Sequence, residues 1–445
     1  MKYLFLIILN TFLNQSICKA QVLFDAKVKS IEIIDLLKKQ KFNDVYSAMD
    51  SVMNRLLNAE QLEGIWDGLL MQFDTLYEIS EPVINIVSDT LTATVTTLRF
   101  KNMKLGLKLA FNQTGKISGL YVVPVAYPYQ PAWYVNTAGF YEIKKNIPDP
   151  EYPSEGILTL PNGSKKVAVV IIVGGSGPVD KDLTEGPNKV YKDIAWGLAS
   201  KGVATYRFDK RTVNFASQMI AEEKLTVKEE YLDDVKLIVA MLSKYSRIDK
   251  HQIFILGHSE GGYLLPYFAK HVNGVRGYIS MAGNYNKLAV LVPNQIKYLA
   301  LHSDTEKEKK EILKNLPPAV YARDHLTKNT PDDSLPFGLN TAYLWHLNQN
   351  GPEVLRNKLM NKPVLFIQGG RDYQVPPSEL DKWKMALAKN NRVTYKIYPA
   401  LNHLFQEGKA PSIPAEYIRP GNVPEEVIND IASWVLHTHA SGNYK

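Results

Sequence analysis

Cysteine is almost missing from this 445-residue sequence, which holds a single one, Cys18. One thiol excludes an internal disulfide framework and Cys-based zinc sites. Dense clusters of lysine and arginine are also missing. The 52 Lys+Arg against 45 Asp+Glu give a formal charge of only +7. A charge that mild, spread over so long a chain, argues against nucleic acid as a partner. After the first twenty residues there is no apolar run long enough to span a bilayer, which takes about 20 residues. No internal repeat is visible. What is present is an ordinary globular balance, 45% hydrophobic and 22% charged, sufficient for two or three domains and incompatible with a disordered chain.

The first twenty residues have the pattern of a secretory signal peptide. Met1-Lys2 supplies the positive start and Tyr3 to Leu13 the apolar stretch. Cys18-Lys19-Ala20 offers a cleavage site before Gln21. Cleavage there removes Lys2 and Lys19, lowers the charge to +5 and leaves a mature chain without cysteine, which rules out a Cys nucleophile and suits an oxidising compartment. The expected location is therefore secreted or periplasmic. An uncleaved anchor and a lipoprotein made through Cys18 are the alternatives. The bulky Ile17 before Cys18 disfavours the second.

Three prolines between Pro124 and Pro131 predict an extended linker. The chain then divides into a leader (1–20), a small N-terminal domain (21–123) and a larger domain (124–445). In the small domain, Leu62, Ile65, Trp66, Leu69, Leu70 and Phe73 recur at helical spacing, with Asn58 placed to cap the helix. Strands are expected at 83–87, 90–100, 105–111 and 117–123. Helices followed by an antiparallel meander make an α+β domain.

Beyond the linker, apolar strands alternate with helical stretches. Strands are predicted at 167–173, 203–208, 252–256, 275–281, 363–368 and 393–398. Runs such as Val169-Val170-Ile171-Ile172-Val173 fit a parallel sheet covered by helices on both faces. Pro161-Asn162-Gly163 predicts a hairpin joining 157–160 to 167–173. About eighty residues between Met281 and Pro363 lack a clear strand. They predict a helical insertion, about 284–360, lying over the sheet edge, with the charge run Glu306–Glu311 on a solvated helix face.

The strongest chemical signal is Gly257-His258-Ser259-Glu260-Gly261-Gly262. It matches G-x-S-x-G, follows the strand 252–256 and precedes a helical stretch at 263–269. That is the setting in which a strained turn lifts a serine hydroxyl above a sheet. A serine needs a base. The motif resembles the serine turn of the α/β-hydrolases, whose chain order is Ser–acid–His, and that order reduces the nine histidines to His403, His437 and His439. His403 follows the strand 393–398, whereas the other two are placed past a last helix at 424–436. Asp372, just after the strand 363–368, is the acid, with Asp381 second because it falls in a helical stretch. The oxyanion donors are then the backbone N–H of Glu260 and of Ser176, the latter in the loop Gly174-Gly175-Ser176-Gly177-Pro178, whose glycines allow close approach. That loop lacks the Lys-Ser/Thr of a P-loop and does not fit G-x-G-x-x-G.

These residues resemble the α/β-hydrolase superfamily, and within it secreted bacterial serine esterases carrying a small uncharacterised N-terminal domain. The resemblance rests on the Gly175–Pro178 loop with Asp180 and Asp182; on Arg207-Phe208-Asp209-Lys210-Arg211; on the Ser259 motif with Pro266; and on Gln368–Asp372 with Asn402-His403. Gly174 stands where many relatives have His, and Thr212 where they usually have Gly. Asp180, Asp182, Arg207 and Asp209 are expected to form a supporting polar network.

The resemblance implies an α/β-hydrolase fold and cleavage of small carboxylic esters, most readily short acyl chains, through Ser259, His403 and Asp372. No metal cluster is apparent and the mechanism asks for no cofactor. Two alternatives stay open. One is a serine peptidase of the prolyl oligopeptidase or aminopeptidase type, with Asp332 and Asp333 of the insertion as amine ligands. The other is a non-catalytic binding protein on a hydrolase scaffold. The N-terminal domain is left a role in binding a wall component or another partner.

Overall fold

The computed structural model describes residues 24–440 apart from 89–90, 102, 126–128, 224 and 410. The expected leader and the middle of the expected linker lie outside the described residues. The described chain forms two compact units, 24–125 and 129–440.

The first unit opens with helices α1 (Ala26–Lys38), α2 (Phe42–Ala48) and α3 (Ala59–Phe73). Asn58 starts α3 through a reciprocal cap: its Oδ1 accepts from Gln61 N–H at 2.8 Å, and Gln61 Oε1 accepts from Asn58 N–H at 3.0 Å. Leu62, Trp66 and Phe73 are buried, while Ile65 is exposed. Strands β1 (Leu76–Ile79), β2 (Val83–Ser88), β3 (Leu91–Phe100), β4 (Lys104–Asn112) and β5 (Ile117–Pro124) form one antiparallel sheet. β1 and β2 both pair with β3, in the registers Ile79↔Leu98 and Val83↔Val95, so β3 carries both along its length. At four residues, β1 is too short to announce itself by alternation.

The second unit is built on eight strands: β6 (Phe140–Lys144), β7 (Gly156–Pro161), β8 (Val167–Val173), β9 (Ala204–Phe208), β10 (Ile248–His258), β11 (Gly277–Met281), β12 (Val364–Gly369) and β13 (Val393–Tyr398). Their order is β13-β12-β11-β10-β8-β9-β7-β6, with β8 to β13 parallel and β7 and β6 antiparallel at one end. The predicted hairpin is corrected here: β7 pairs with β9 and β6, not with β8. β9 occupies the place between β7 and β8. The turn Asn162–Lys166 therefore arches over one strand, a span of about 10 Å at the usual strand spacing.

Alternate residues of the central strands serve separate cores. Val169, Ile171 and Ile255 face one side, where Val235, Ile238 and Leu242 of α6 (below) and Trp383 pack. Val170, Ile172 and Leu256 face the other, against Ile194, Leu198, Ile428 and Ile431. Burial on both faces is why these strands read as continuous aliphatic runs. The helices on the two faces include α4 (Val190–Ser200), α5 (Arg211–Ala221), α6 (Asp233–Ser243), α7 (Glu260–Tyr263) and α8 (Leu265–His271).

The stretch after β11 is helical, with α9 (Leu288–Leu301), α10 (Glu306–Leu313), α11 (Leu316–His325), α12 (Thr341–Gln349) and α13 (Pro352–Leu355). The charge run lies on α10, which has no buried residue. Leu288 and Leu291 of α9 and Leu347 of α12 wall a cavity at Ser259. Sharing that cavity with Ser176 and Ser259 brings these parts of the insertion to the carboxyl ends of the strands.

Helices α14 (Pro377–Ala386) and α15 (Glu425–Ala440) complete the unit. His437 and His439 fall within α15 rather than beyond it. Among the described residues no helix is long and apolar enough to cross a membrane.

Candidate active site

Ser259, Ser176, Asp372 and His403 follow β10, β8, β12 and β13 respectively, so the topology gathers them at the carboxyl ends of parallel strands, where open α/β sheets carry their sites. Ser259 has φ 52° and ψ −117° between the end of β10 and the start of α7. Such a backbone is strained for a residue with a side chain, and it persists because the surroundings over-determine it. Ser259 N–H donates to Met281 O at 2.9 Å. A Cβ on Gly257 would lie 2.2 Å from Gly261 O, so the tight turn requires glycine there. A Cβ on Gly175 would stand 3.1 Å from Ser259 Cβ. Glycine at 175 thus lets the loop pass directly beside the serine.

Asp372 and His403 meet as expected: His403 Nδ1 and Asp372 Oδ2 are 2.7 Å apart, and both side chains are buried. The carboxylate is further held by Gln374 N–H and Val375 N–H, each 2.9 Å from Oδ1, and by Gln368 Nε2 at 3.1 Å from Oδ2. Asn402 folds the histidine loop, accepting from Leu404 N–H and Gln406 N–H at 3.0 and 3.1 Å. Asp381, the second choice for the acid, is paired with Lys384 on α14. The Ser259–His403 half of the constellation is not closed: among the described residues no hydrogen bond joins the two side chains. Without substrate such bonds are commonly long.

His258 holds the serine and histidine segments together. Its Nε2 lies 3.0 Å from His403 O, a carbonyl that can only accept, so Nε2 carries the proton. Its Nδ1 then accepts from Tyr191 O–H at 3.0 Å, and Tyr191 Oη in turn accepts from Gly175 N–H at 3.3 Å. One buried chain thus runs from the glycine loop to the histidine loop. Burial, with the neighbouring His403 adding to it, holds the His258 pKa down to about 3, so the ring is neutral at working pH. Replacing His258 by Phe keeps a ring but strands the His403 carbonyl and the Tyr191 hydroxyl. The expected loss is about 1–3 kcal/mol of stability in chemical denaturation, accompanied by slower ester turnover. An unchanged denaturation midpoint would dismiss the linking role. Neither His258 nor Tyr191 was picked out from sequence; the His inside the serine motif was the one available signal.

Ser176, Ser259 and Glu260 line one small cavity of about 60 Å³ that opens to solvent. Its other walls include Leu288, Leu291, Leu347 and Val375, with Asn284, Gln295 and Gln374 supplying polar groups. Glu260 opens α7, so its N–H is among the donors a helix start leaves without an intrahelical partner. Gly174 and Gly175 are buried beneath the loop, and Gly177 turns it with φ +79°.

The expected polar network divides into separate ties. Arg207 Nε and Nη1 donate to Asp182 and Glu142 at 2.9 and 2.7 Å. Asp209 accepts from Lys181 N–H at 2.7 Å, and Asp180 accepts from Asp182 N–H and Thr184 N–H. They fasten the segment following the glycine loop. Glu142, on the antiparallel β6, had no sequence signal linking it to Arg207. Asp332 is engaged with Asn340 and Thr341 N–H, which lower its pKa, and neither Asp332 nor Asp333 lines the cavity. Among the described residues no group of His, Cys, Asp or Glu is arranged to hold a metal ion.

Residues 187–408 match a family described as serine aminopeptidase, S33, and residues 30–120 match one described as a protein of unknown function (DUF3887). Esterase EstD of Thermotoga maritima is 31% identical over 406 residues, covering 90% of this chain and 93% of its own. Among solved structures, Est1E from Butyrivibrio proteoclasticus is 18% identical with a TM-score of 0.42, over 67% of this chain and 99% of that one. A puromycin-hydrolyzing peptidase of Mycobacterium tuberculosis is 14% identical with a TM-score of 0.41, over 78% and 46%. The chain belongs to the α/β-hydrolase superfamily, in the same family as the esterase EstD, and is a carboxylic ester hydrolase.

Proposed function

We propose that the protein is an exported serine esterase that cleaves small esters of short acyl chains through an acyl-enzyme. Ser259 is the nucleophile. His403 takes its proton and later returns it to the leaving alcohol, and Asp372 holds the imidazole by its Nδ1 side. The N–H groups of Ser176 and Glu260 receive the negative charge that develops on the carbonyl oxygen. Water then attacks the acyl-enzyme and releases the acid. The observation that carries this reading is the single cavity shared by Ser176, Ser259 and Glu260. Its leucine wall on α9 and α12 supports short acyl groups. Export rests on the Met1–Ala20 pattern alone.

The test is a series of p-nitrophenyl esters from acetate to dodecanoate, run beside aminoacyl p-nitroanilides. Expected is a kcat/KM that peaks at two to four acyl carbons and falls beyond; each methylene that fits is worth about 1 kcal/mol and each that does not is lost. A preference for long chains would overturn the short-acyl assignment. Faster cleavage of the anilides would favour an aminopeptidase, in line with the description of the family matched at 187–408.

A further inference from the structure

Beneath the glycine loop lies a buried lysine that the chemistry above does not use. Lys210 is 1% exposed. Its Nζ donates to Gly175 O and to Gly177 O, each at 2.8 Å, and to Tyr231 Oη at 2.7 Å. Tyr231 O–H in turn donates to Gly175 O at 2.6 Å. The Gly175 carbonyl is therefore held twice, once by an ammonium and once by a phenol.

That carbonyl belongs to the same peptide unit as Ser176 N–H. A trans peptide is planar, with C=O and N–H pointing in opposite directions. Fixing the oxygen on the buried side fixes the N–H on the other side, toward the cavity shared with Ser259. The positive charge on the oxygen also draws electron density from the amide and strengthens its N–H as a donor. We infer that Lys210, assisted by Tyr231, is a positioning residue for the oxyanion donor Ser176: it orients and polarises the Gly175–Ser176 peptide. The inference rests on the reading of Ser176 as an oxyanion donor.

The lysine has a built environment. Glu230 Oε1 lies 3.0 Å from Nζ, and both side chains are buried. Glu230 also accepts from Thr212 Oγ1 at 2.8 Å and from Tyr343 O–H at 2.6 Å, and Tyr343 reaches Glu260, the residue after the nucleophile. Thr212 is thus a ligand of the carboxylate that balances Lys210. A buried ion pair is seldom kept for stability alone, since apolar residues of equal volume serve as well or better. The place of this one, on the carbonyl side of a loop peptide, gives the charge a use.

The test takes full-length enzyme with Lys210→Met, which keeps the aliphatic stem and removes the charge. Expected is a kcat for p-nitrophenyl acetate lower by about 100-fold, the scale of losing one oxyanion donor, with KM changed less than about threefold. Benzeneboronic acid, which forms a tetrahedral adduct on the serine, should lose affinity in parallel with kcat. A kcat within about threefold of wild type, or a kcat loss without weaker boronate binding, overturns the inference. If Lys210→Met does not fold, Tyr231→Phe removes one of the two holds on Gly175 O. It should lower kcat about five- to tenfold at constant KM, and an unchanged kcat overturns the inference. Ser259→Ala separates the levels. Turnover that survives it overturns the nucleophile and the inference together. Turnover lost in Ser259→Ala but kept in Lys210→Met and Tyr231→Phe overturns the inference alone.

Discussion

Ser259→Ala should reduce ester turnover by about 10⁵- to 10⁶-fold in kcat, leaving a folded protein with its melting temperature little changed. The loss is large because, in the proposed mechanism, the hydroxyl opens the covalent route, and the remaining groups would act on an attack that no longer occurs. The fold survives because the turn at φ 52° is imposed by the close packing of Gly257 against Gly261 and by the Ser259 N–H bond to Met281 O, none of which involves the hydroxyl. Alanine is as strained there as serine, no more. Steady-state hydrolysis of p-nitrophenyl acetate together with a thermal melt decides the matter. Substantial turnover in a properly folded variant would remove Ser259 from the chemistry.

Arg211→Met should destabilise the protein by about 3–5 kcal/mol near pH 8, the cost of breaking a buried pair from one side. Arg211 Nε donates to Asp234 Oδ1 at 2.8 Å and its Nη2 to Asp149 Oδ2 at 2.7 Å, and the Asp234 side chain is fully buried. Burial raises the Asp234 pKa from 3.8 to about 6, with Arg211 pulling the other way. A folded-state pKa above the unfolded one means that the native protein binds the extra proton. The stability from this group is full below about pH 3.8 and is lost as pH rises through 6. Without the guanidinium the native carboxyl climbs further, so the penalty of the variant is greatest at pH 8 and shrinks toward pH 5, where the carboxyl is neutral. Urea denaturation of both proteins at the two pH values measures this. An equal penalty at both would mean that the lost packing of the long side chain, rather than a stranded charge, is responsible.

The sequence made the sheet legible because strands buried on both faces must be aliphatic throughout, as at Val169–Val173. Ser259 stood out because it directly follows such a strand and lies inside the G-x-S-x-G pattern, whereas Asp372 and His403 come a few residues after β12 and the half-exposed β13 and were picked by chain order. Asn162-Gly163 misled because a turn signal records that the chain reverses, not which strand it then meets; β9, forty residues later, takes the adjoining place. Tyr191, Lys210, Glu230 and Tyr343 were missed for a related reason. They sit 16 to 113 positions from the groups they touch, and no local period reveals such a meeting. The cluster Arg207–Arg211 hinted at it, since charge placed directly after a buried strand must find partners inside. The insertion was visible as a stretch without strands, but its seat at the mouth of the site depends on where Leu288, Leu291 and Leu347 find cover.

Tyr343 has a consequence for how material enters and leaves. Its hydroxyl joins Glu230 and Glu260, two buried carboxyl groups on different segments. Lifting α12 from the body would expose both carboxyls to a half-formed environment, at about 1–3 kcal/mol for each group stranded. Opening the site by lifting α12 therefore carries the cost of breaking both Tyr343 hydrogen bonds. α12 then serves as a doorpost, and opening costs less at α9 and the loop at Gln374, which a single bond joins, from Gln295 Nε2 to Gln374 O at 2.7 Å. Evolution can then remodel the α9 side to suit new acids and alcohols while the post stays where it is.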